Sequence, residues 1–153
     1  MTDIKNKPGV QFGIHRIYVK DVSFEAPEAP ATFRQPWKPK VNLELETRSH
    51  KLEDGVYEVI LEITATVKNE DKVGFIVEVE QAGIFTIKGM ADDVRQRTIG
   101  AYCPNILFSY ARETIDGLAV KGSFPALMIS PVNFDQLYEQ SLEKRQQKDA
   151  KKA

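Results

Sequence analysis

Three consecutive runs of alternating residues do most to limit what this chain can fold into. Val41, Leu43 and Leu45 alternate with Asn42, Glu44 and Glu46. Tyr57, Val59, Leu61, Ile63, Ala65 and Val67 alternate with Glu58, Ile60, Glu62, Thr64 and Thr66. Phe75, Val77 and Val79 alternate with Ile76, Glu78 and Glu80. A period of two sends successive side chains to opposite faces of a strand. Asp54-Gly55 and Asn69–Lys72 supply turn residues between the runs, so an antiparallel meander is the economical topology. One face is apolar and the other half-charged, the pattern of a sheet covered on one side only. Gly83, inside Gln81–Ile87, predicts a bulge there. Earlier in the chain, Gln11–Lys20 reads as another strand, with Phe12, Ile14, Ile17, Tyr18 and Val19. Its alternation slips near Arg16, which predicts a bulge or burial on both faces. Asp21–Glu25 follows as an extended piece.

The cover for the apolar face comes later. Tyr102–Glu113 packs large apolar side chains directly behind Pro104, which fits a first helical position because its missing amide would have had no intrahelical partner. Gly122 fits the far end as the residue that turns left-handed after the last turn. At about 100° per residue, Leu107, Phe108, Ala111, Ile115, Leu118 and Ala119 form one stripe wide enough to lie on a sheet. Ile106, Tyr110 and Gly117 form a second, narrower patch. A helix with two apolar sides needs two surfaces to pack against, and these are read as the chain's own sheet and another subunit. Met90–Ile99 reads as a short helix stopped by Gly100. Asn133 caps a last helix with Gln136 three residues on, and Phe134, Leu137, Tyr138 and Leu142 line one side of it.

At 153 residues the chain is one domain, long enough to bury about 70% of its unfolded surface. Residues 1–10 read as a flexible N-terminus, 11–143 as the folded domain and 144–153 as a charged, disordered tail. A single Cys excludes an intrachain disulfide framework. Absence of an apolar segment near the N-terminus and a longest uncharged run of 14 residues, Thr98–Ala111, leave neither a secretory signal nor a membrane span; the expectation is cytoplasmic. The stretch Gln140–Ala153 carries five cations against two carboxylates, a net of +3, and leaves −4 on the body of a chain whose total is −1. An acidic body argues against nucleic acid as a partner.

Polar chemistry is sparse. His15 and His50 are isolated, so no metal site is expected. Cys103 lacks a paired His and reads as a buried structural residue. Phosphate-binding, nucleophile-elbow and dinucleotide fingerprints do not occur, so no enzyme and no cofactor are expected. In excess instead is apolar material on two proline-framed connectors. Ala26–Pro39 holds Pro27, Pro30, Pro36 and Pro39 yet also Phe33 and Trp37, and Gly122–Pro131 holds Phe124, Leu127 and Met128. Such segments either pin loops to the core or border a groove for extended chains of loose sequence requirement.

Several strings resemble the SecB protein-export chaperones: Ile17 through Pro27, Val56-Tyr57-Glu58-Val59, Gly83-Ile84-Phe85, Gly100 through Phe108 and Pro131-Val132-Asn133-Phe134. The likeness runs from about Phe12 to Tyr138. It implies an α+β fold, a four-stranded antiparallel sheet with helices packed on one side, assembled as a homotetramer that is a dimer of dimers. It also implies an ATP-independent chaperone that binds unfolded preproteins, keeps them translocation-competent and delivers them to the ATPase SecA, with no direct insertion into the membrane. By the same resemblance, Asp21, Glu25, Ile76 and Glu78 form the SecA-docking face, whose partner is a basic, zinc-holding C-terminal segment of SecA. Phe24, Phe33, Trp37, Leu43, Phe124, Leu127, Phe134 and Leu137 border the peptide groove. The second patch, Ile106, Tyr110 and Gly117, falls between dimers, while Val77, Val79 and Gln81 map to positions that influence subunit association. The Lys-rich tail departs from the polar or acidic tails of many relatives. Two other readings stay open at this point, a general holdase on the same scaffold and a small-molecule-binding or enzymatic α+β domain.

Overall fold

The computed structural model describes residues 9–152. Four long strands, β1 (Gln11–Glu25), β2 (Pro39–Glu53), β3 (Val56–Asn69) and β4 (Lys72–Lys88), form one antiparallel sheet in the order β1-β4-β3-β2. The meander of β2, β3 and β4 is the one expected from the alternating runs. β1 then lies on the free side of β4, so residues 26–38 carry the chain from one edge of the sheet to the other, with a short 3-10 turn at Ala31–Arg34.

Two single-residue bulges shape β1. Ile14 pairs with Phe85 and Arg16 with Ile84, leaving His15 unpaired; Val19 pairs with Gln81 and Asp21 with Glu80, leaving Lys20 unpaired. Each bulge shifts the alternation by one residue. Phe12, Ile14, Ile17, Val19, Val22 and Phe24 therefore all point to the side of the sheet that carries the helices, despite uneven spacing. The slip near Arg16 signalled the first bulge; the second, at Lys20, carried no such signal. At Gly83 the expected bulge is absent, because β4 is continuous there and pairs on both sides. Gly83 instead makes room for the Phe85 ring, which lies 2.7 Å from where a Cβ would stand.

The helices cover β4 and β3. A short α1 (Asp92–Arg97) passes through one wider π-type turn at Thr98–Tyr102 straight into α2 (Cys103–Lys121). Gly100 thus does not stop a helix. The Cys103 N–H reaches back to the Thr98 carbonyl, and the wide turn accommodates Pro104, which has no amide to offer. Gly100 serves a different need, since the Tyr138 ring sits 2.6 Å from its would-be Cβ. At the other end of α2, Gly122 has φ −82°, and the left-handed residue is Ser123 at φ 67°. Gly122 is small because the Phe24 ring approaches to 2.4 Å of a would-be Cβ.

The core is the stripe read from the sequence. Leu107, Phe108, Ala111, Ile115 and Ala119 of α2 are buried against Val59, Leu61, Ile63, Phe75, Val77, Val79 and Phe85. Finally α3 (Phe134–Lys152) packs its first turns on the α1–α2 junction, through Phe134 on Phe108 and Tyr138 on Gly100. The Asn133 side chain accepts from the Gln136 amide at 3.0 Å, as its capping role requires. Residues 144–152, expected as disordered tail, continue this helix. Gln, Lys, Arg and Ala are favourable helix formers, and Lys151 and Lys152 complement the dipole in the last turn.

Candidate functional site

Each face of the sheet presents a different surface. On the face without helices, cross-strand pairing lines residues up in rows. One row across all four strands is Asp21, Glu80, Glu62 and Glu46, and the next is Ser23, Glu78, Thr64 and Glu44. Four carboxylates in one row repel, at a cost of a few tenths to about 1 kcal/mol per directly opposed pair. Arg48 relieves part of this, donating to Glu62 at 3.0 Å and Glu80 at 2.7 Å, and its stem lies over the buried Ile60 and Ala82. Glu58, on the same face, accepts from the Tyr18 hydroxyl and from Lys20 at 3.0 Å. Burial acts to raise its pKa, but these donors outweigh it and leave the carboxyl below its ordinary value. Burial, and then the bond to Glu58, push the Tyr18 hydroxyl up to about 12.

Of the residues expected to dock a partner, Asp21, Glu25 and Glu78 are exposed on this face, and Glu25 pairs directly with Ile76. Asp21, Glu25, Glu44, Glu46 and Glu78 form no ion pair among the described residues. The sequence reading missed Glu44, Glu46, Glu62 and Glu80, although their period-2 spacing already placed them beside Glu78.

On the other side, rings from four segments meet at the C-terminal end of α2. Phe124 lies 4.5 Å from Phe75, 5.2 Å from Phe33, 5.3 Å from Trp37 and 6.5 Å from Phe24, measured between centroids. Phe75 and Phe124 are buried, Phe24 and Trp37 half-buried, and Phe33 is 49% exposed at the rim. Two features position the proline-rich crossover that brings Phe33 and Trp37 here. Asn69, itself buried, accepts from the Lys38 amide at 2.8 Å and donates to the Pro36 carbonyl at 3.1 Å. Gly74, the bulged residue of β4, lets the Trp37 ring settle against it.

From Phe124 the connector runs back along α2. Asp116 accepts from the amides of Leu127 at 2.9 Å and Met128 at 3.3 Å, and Arg112 donates to the Ile129 carbonyl. Met128 is held at φ 52° and 78% exposed. Leu127 is half-buried beside it, and Leu43 is half-buried on the helix-side face of β2, which α2 does not cover. Phe134 and Leu137 lie apart, at the N-terminal end of α2. Phe134 is buried on Phe108, so only Leu137 offers exposed surface there. The eight expected groove residues therefore form one cluster of four, two flanking aliphatics and a separate pair. Phe75 forms the buried floor of this cluster and Met128 its exposed flank; neither is among the eight. Phe75 looked like any inward strand position, and nothing local marks Met128 as left-handed.

A cleft of about 440 Å³ opens between α1 and α3, lined by Val10, Met90, Val94, Tyr102, Tyr138 and Leu142, with Asp93, Arg97 and Asp135 among its polar residues. Arg97 pairs with Asp135 and Glu139 beside it, fastening α3 to α1.

A third surface is apolar and uncovered. Phe12 meets Tyr102 at the start of α2 and Phe24 meets Gly122 at its end, so β1 runs the length of that helix. Ile14, Val19 and Val22 face the helix layer yet remain 49%, 44% and 42% exposed. On α2, Tyr110 is 47% exposed, Ile106 half-buried, and Gly117 opens on empty space. Val77, Val79 and Gln81 are buried within the subunit, so any influence they have on association passes through β4 rather than through contact. The Cys103 thiol is buried, which pushes its pKa up and removes it as a nucleophile.

Comparison with known proteins accords with this geometry. Residues 5–145 match the family described as SecB, preprotein translocase subunit SecB. The protein-export protein SecB of Pseudomonas savastanoi pv. phaseolicola is 60% identical over 139 residues, covering 91% of this chain and 86% of its own length. That of Pseudomonas fluorescens strain SBW25 is 56% identical over 146 residues, covering 95% and 92%. Among solved structures, a SecB-like chaperone of Mycobacterium tuberculosis in complex with a ChAD peptide from the HigA1 antitoxin shares the fold, with a TM-score of 0.67 at 16% identity over 79% of this chain and 90% of that one. With the family match spanning nearly the whole chain and relatives 56–60% identical over most of it, the chain belongs to the SecB family of protein-export chaperones.

Proposed function

We propose that this chain is an ATP-independent holdase, not an enzyme, that keeps unfolded preproteins translocation-competent in the cytoplasm and delivers them to SecA. The observation that carries client binding is the ring cluster at the end of α2, in which Phe33 is half-exposed on a crossover held by Asn69. Aromatic surface without convergent polar groups binds extended chains by area, which tolerates many sequences. Delivery rests on the carboxylate rows of the opposite face, which suit the basic, zinc-holding C-terminal segment of SecA. Client and SecA are then engaged on opposite faces of one sheet and need not compete. The uncovered strip of Ile14, Val19 and Val22 with Tyr110 supports assembly into a homotetramer, a dimer of dimers.

The test separates the two faces. Phe33→Ala with Trp37→Ala is expected to weaken binding of a denatured preprotein about tenfold or more, as truncation of clustered aromatic anchors does, while SecA-segment binding is kept. Glu78→Ala with Asp21→Ala is expected to do the reverse. Loss of both activities in either pair, with the fold intact by circular dichroism, would refute the assignment of separate faces. Client capture with no measurable SecA binding would favour a general holdase.

A further inference from the structure

Beyond Leu142, α3 leaves the body and every residue from Glu143 to Lys152 is exposed. Its cations are not scattered. At about 100° per residue, Lys144, Arg145, Lys148, Lys151 and Lys152 all fall within an arc of about 120°, while Glu143 and Asp149 fall outside it. None of the five makes an ion pair among the described residues. The centre of this arc lies in line with Leu137, an exposed apolar side chain two turns earlier on the same helix. Leu142, which lines the cleft between α1 and α3, lies about 60° beyond one edge of the arc. An apolar foothold therefore leads directly onto a basic track. The rest of the chain carries −4, and its sheet face is lined with carboxylates, so the body repels acidic polypeptide.

We infer that the basic arc of α3, at the opposite end of α2 from the ring cluster, is a second binding surface, one for acidic stretches of unfolded polypeptide, that widens the range of chains this protein holds. This rests on the client-holding reading above. An extended segment anchored by apolar residues on Leu137 or in the cleft continues along the helix, where carboxylates spaced along it meet Lys144, Lys148 and Lys151 in succession. The contacts are exposed and screened by salt, so they select among clients and speed capture rather than anchor them.

The experiment uses the full chain and a full-length variant with Lys144→Gln, Arg145→Gln, Lys148→Gln, Lys151→Gln and Lys152→Gln, substitutions that keep helix propensity. Three labelled peptides share one apolar-aromatic block and carry five acidic, five neutral or five basic residues beside it. With five weak ion pairs removed, the acidic peptide is expected to bind the variant about tenfold more weakly at low salt, the neutral peptide to be unchanged, and the difference to vanish near 0.5 M salt. Equal binding of the acidic peptide by both proteins overturns the inference while leaving the holdase reading intact. A tail-dependent acidic preference with no neutral binding by either protein would sink that reading and overturn the claim that the arc widens a client range, leaving only a site for acidic segments. Tail-dependent capture of phosphatidylglycerol-containing vesicles without any acidic-peptide preference overturns it in favour of a membrane surface.

Discussion

Single side chains set the fit between sheet and helix layer. The Phe24 ring occupies the space a side chain at position 122 would need. Gly122→Ala is therefore expected to destabilise the protein by about 1–3 kcal/mol, the range for overpacking, read as a lowered thermal midpoint. In a Phe24→Ala background the same change should cost little, because the obstructing ring is gone; a full cost in both backgrounds would place the strain elsewhere. Tyr18 gives a second check. With its hydroxyl buried beside Glu58 and its pKa raised to about 12, folding favours the protonated form. That contribution is complete below the ordinary tyrosine pKa of about 10 and is lost as pH rises through the folded value. Ultraviolet titration should show one tyrosine ionising near pH 12, and Glu58→Gln should bring it down. At this scale the sequence was informative about type but not about cause. It marked Gly100 and Gly122 as punctuation, whereas both are small because a distant ring, Tyr138 or Phe24, comes to rest on them. Contacts between residues so far apart in the chain leave no local trace.

Elements were legible wherever a period ran uninterrupted. β2, β3, β4 and the buried stripe of α2 follow from alternation and helical spacing, since one buried face imposes a strict pattern. β1 was harder to read, because the bulges at His15 and Lys20 put six apolar residues on one side at uneven spacing. At Gly100 the expected helix stop gives way to a π-type turn that carries α1 into α2. The α3 extension was misjudged because charge density was taken for disorder, although its residues favour helix once Phe134 and Tyr138 anchor the first turns. That anchorage is small, which yields a prediction for the element. Gly100→Ala should displace the Tyr138 ring and loosen α3 while the sheet persists. Amide hydrogen exchange would then rise across residues 134–152 and stay slow in β3 and β4; protection retained in α3 would show that the notch at Gly100 does not hold the helix.

For the whole molecule, the layers do not match in width. α2 covers the two central strands and leaves the helix-side faces of β1 and β2 open on either flank. The flank at β1 carries aliphatics beside Tyr110, and the flank at β2 carries Leu43 near the aromatic cluster. The wide sheet thus supports both proposed uses, association on one side and client capture on the other. Val22→Asp with Tyr110→Asp is expected to shift the mass measured by light scattering from that of the proposed tetramer toward smaller species, with little change in far-ultraviolet circular dichroism. An unchanged mass would remove this strip from the interface. Neither open flank was visible in the sequence, since a residue facing the helix side reads as core whether or not a helix reaches it.

The buried amide of Asn69 gives the crossover a particular mechanical character. It grips the chain by a carbonyl and an N–H on either side of Trp37, so the loop cannot slide along its own contour without breaking both bonds at once. Trp37 sits between the two gripped groups, and Phe33 lies outside them on a 3-10 turn closed by its own amide to the Pro30 carbonyl. The Trp37 wall of the ring cluster is thus fixed from β3, by a side chain that belongs to neither the crossover nor the cluster.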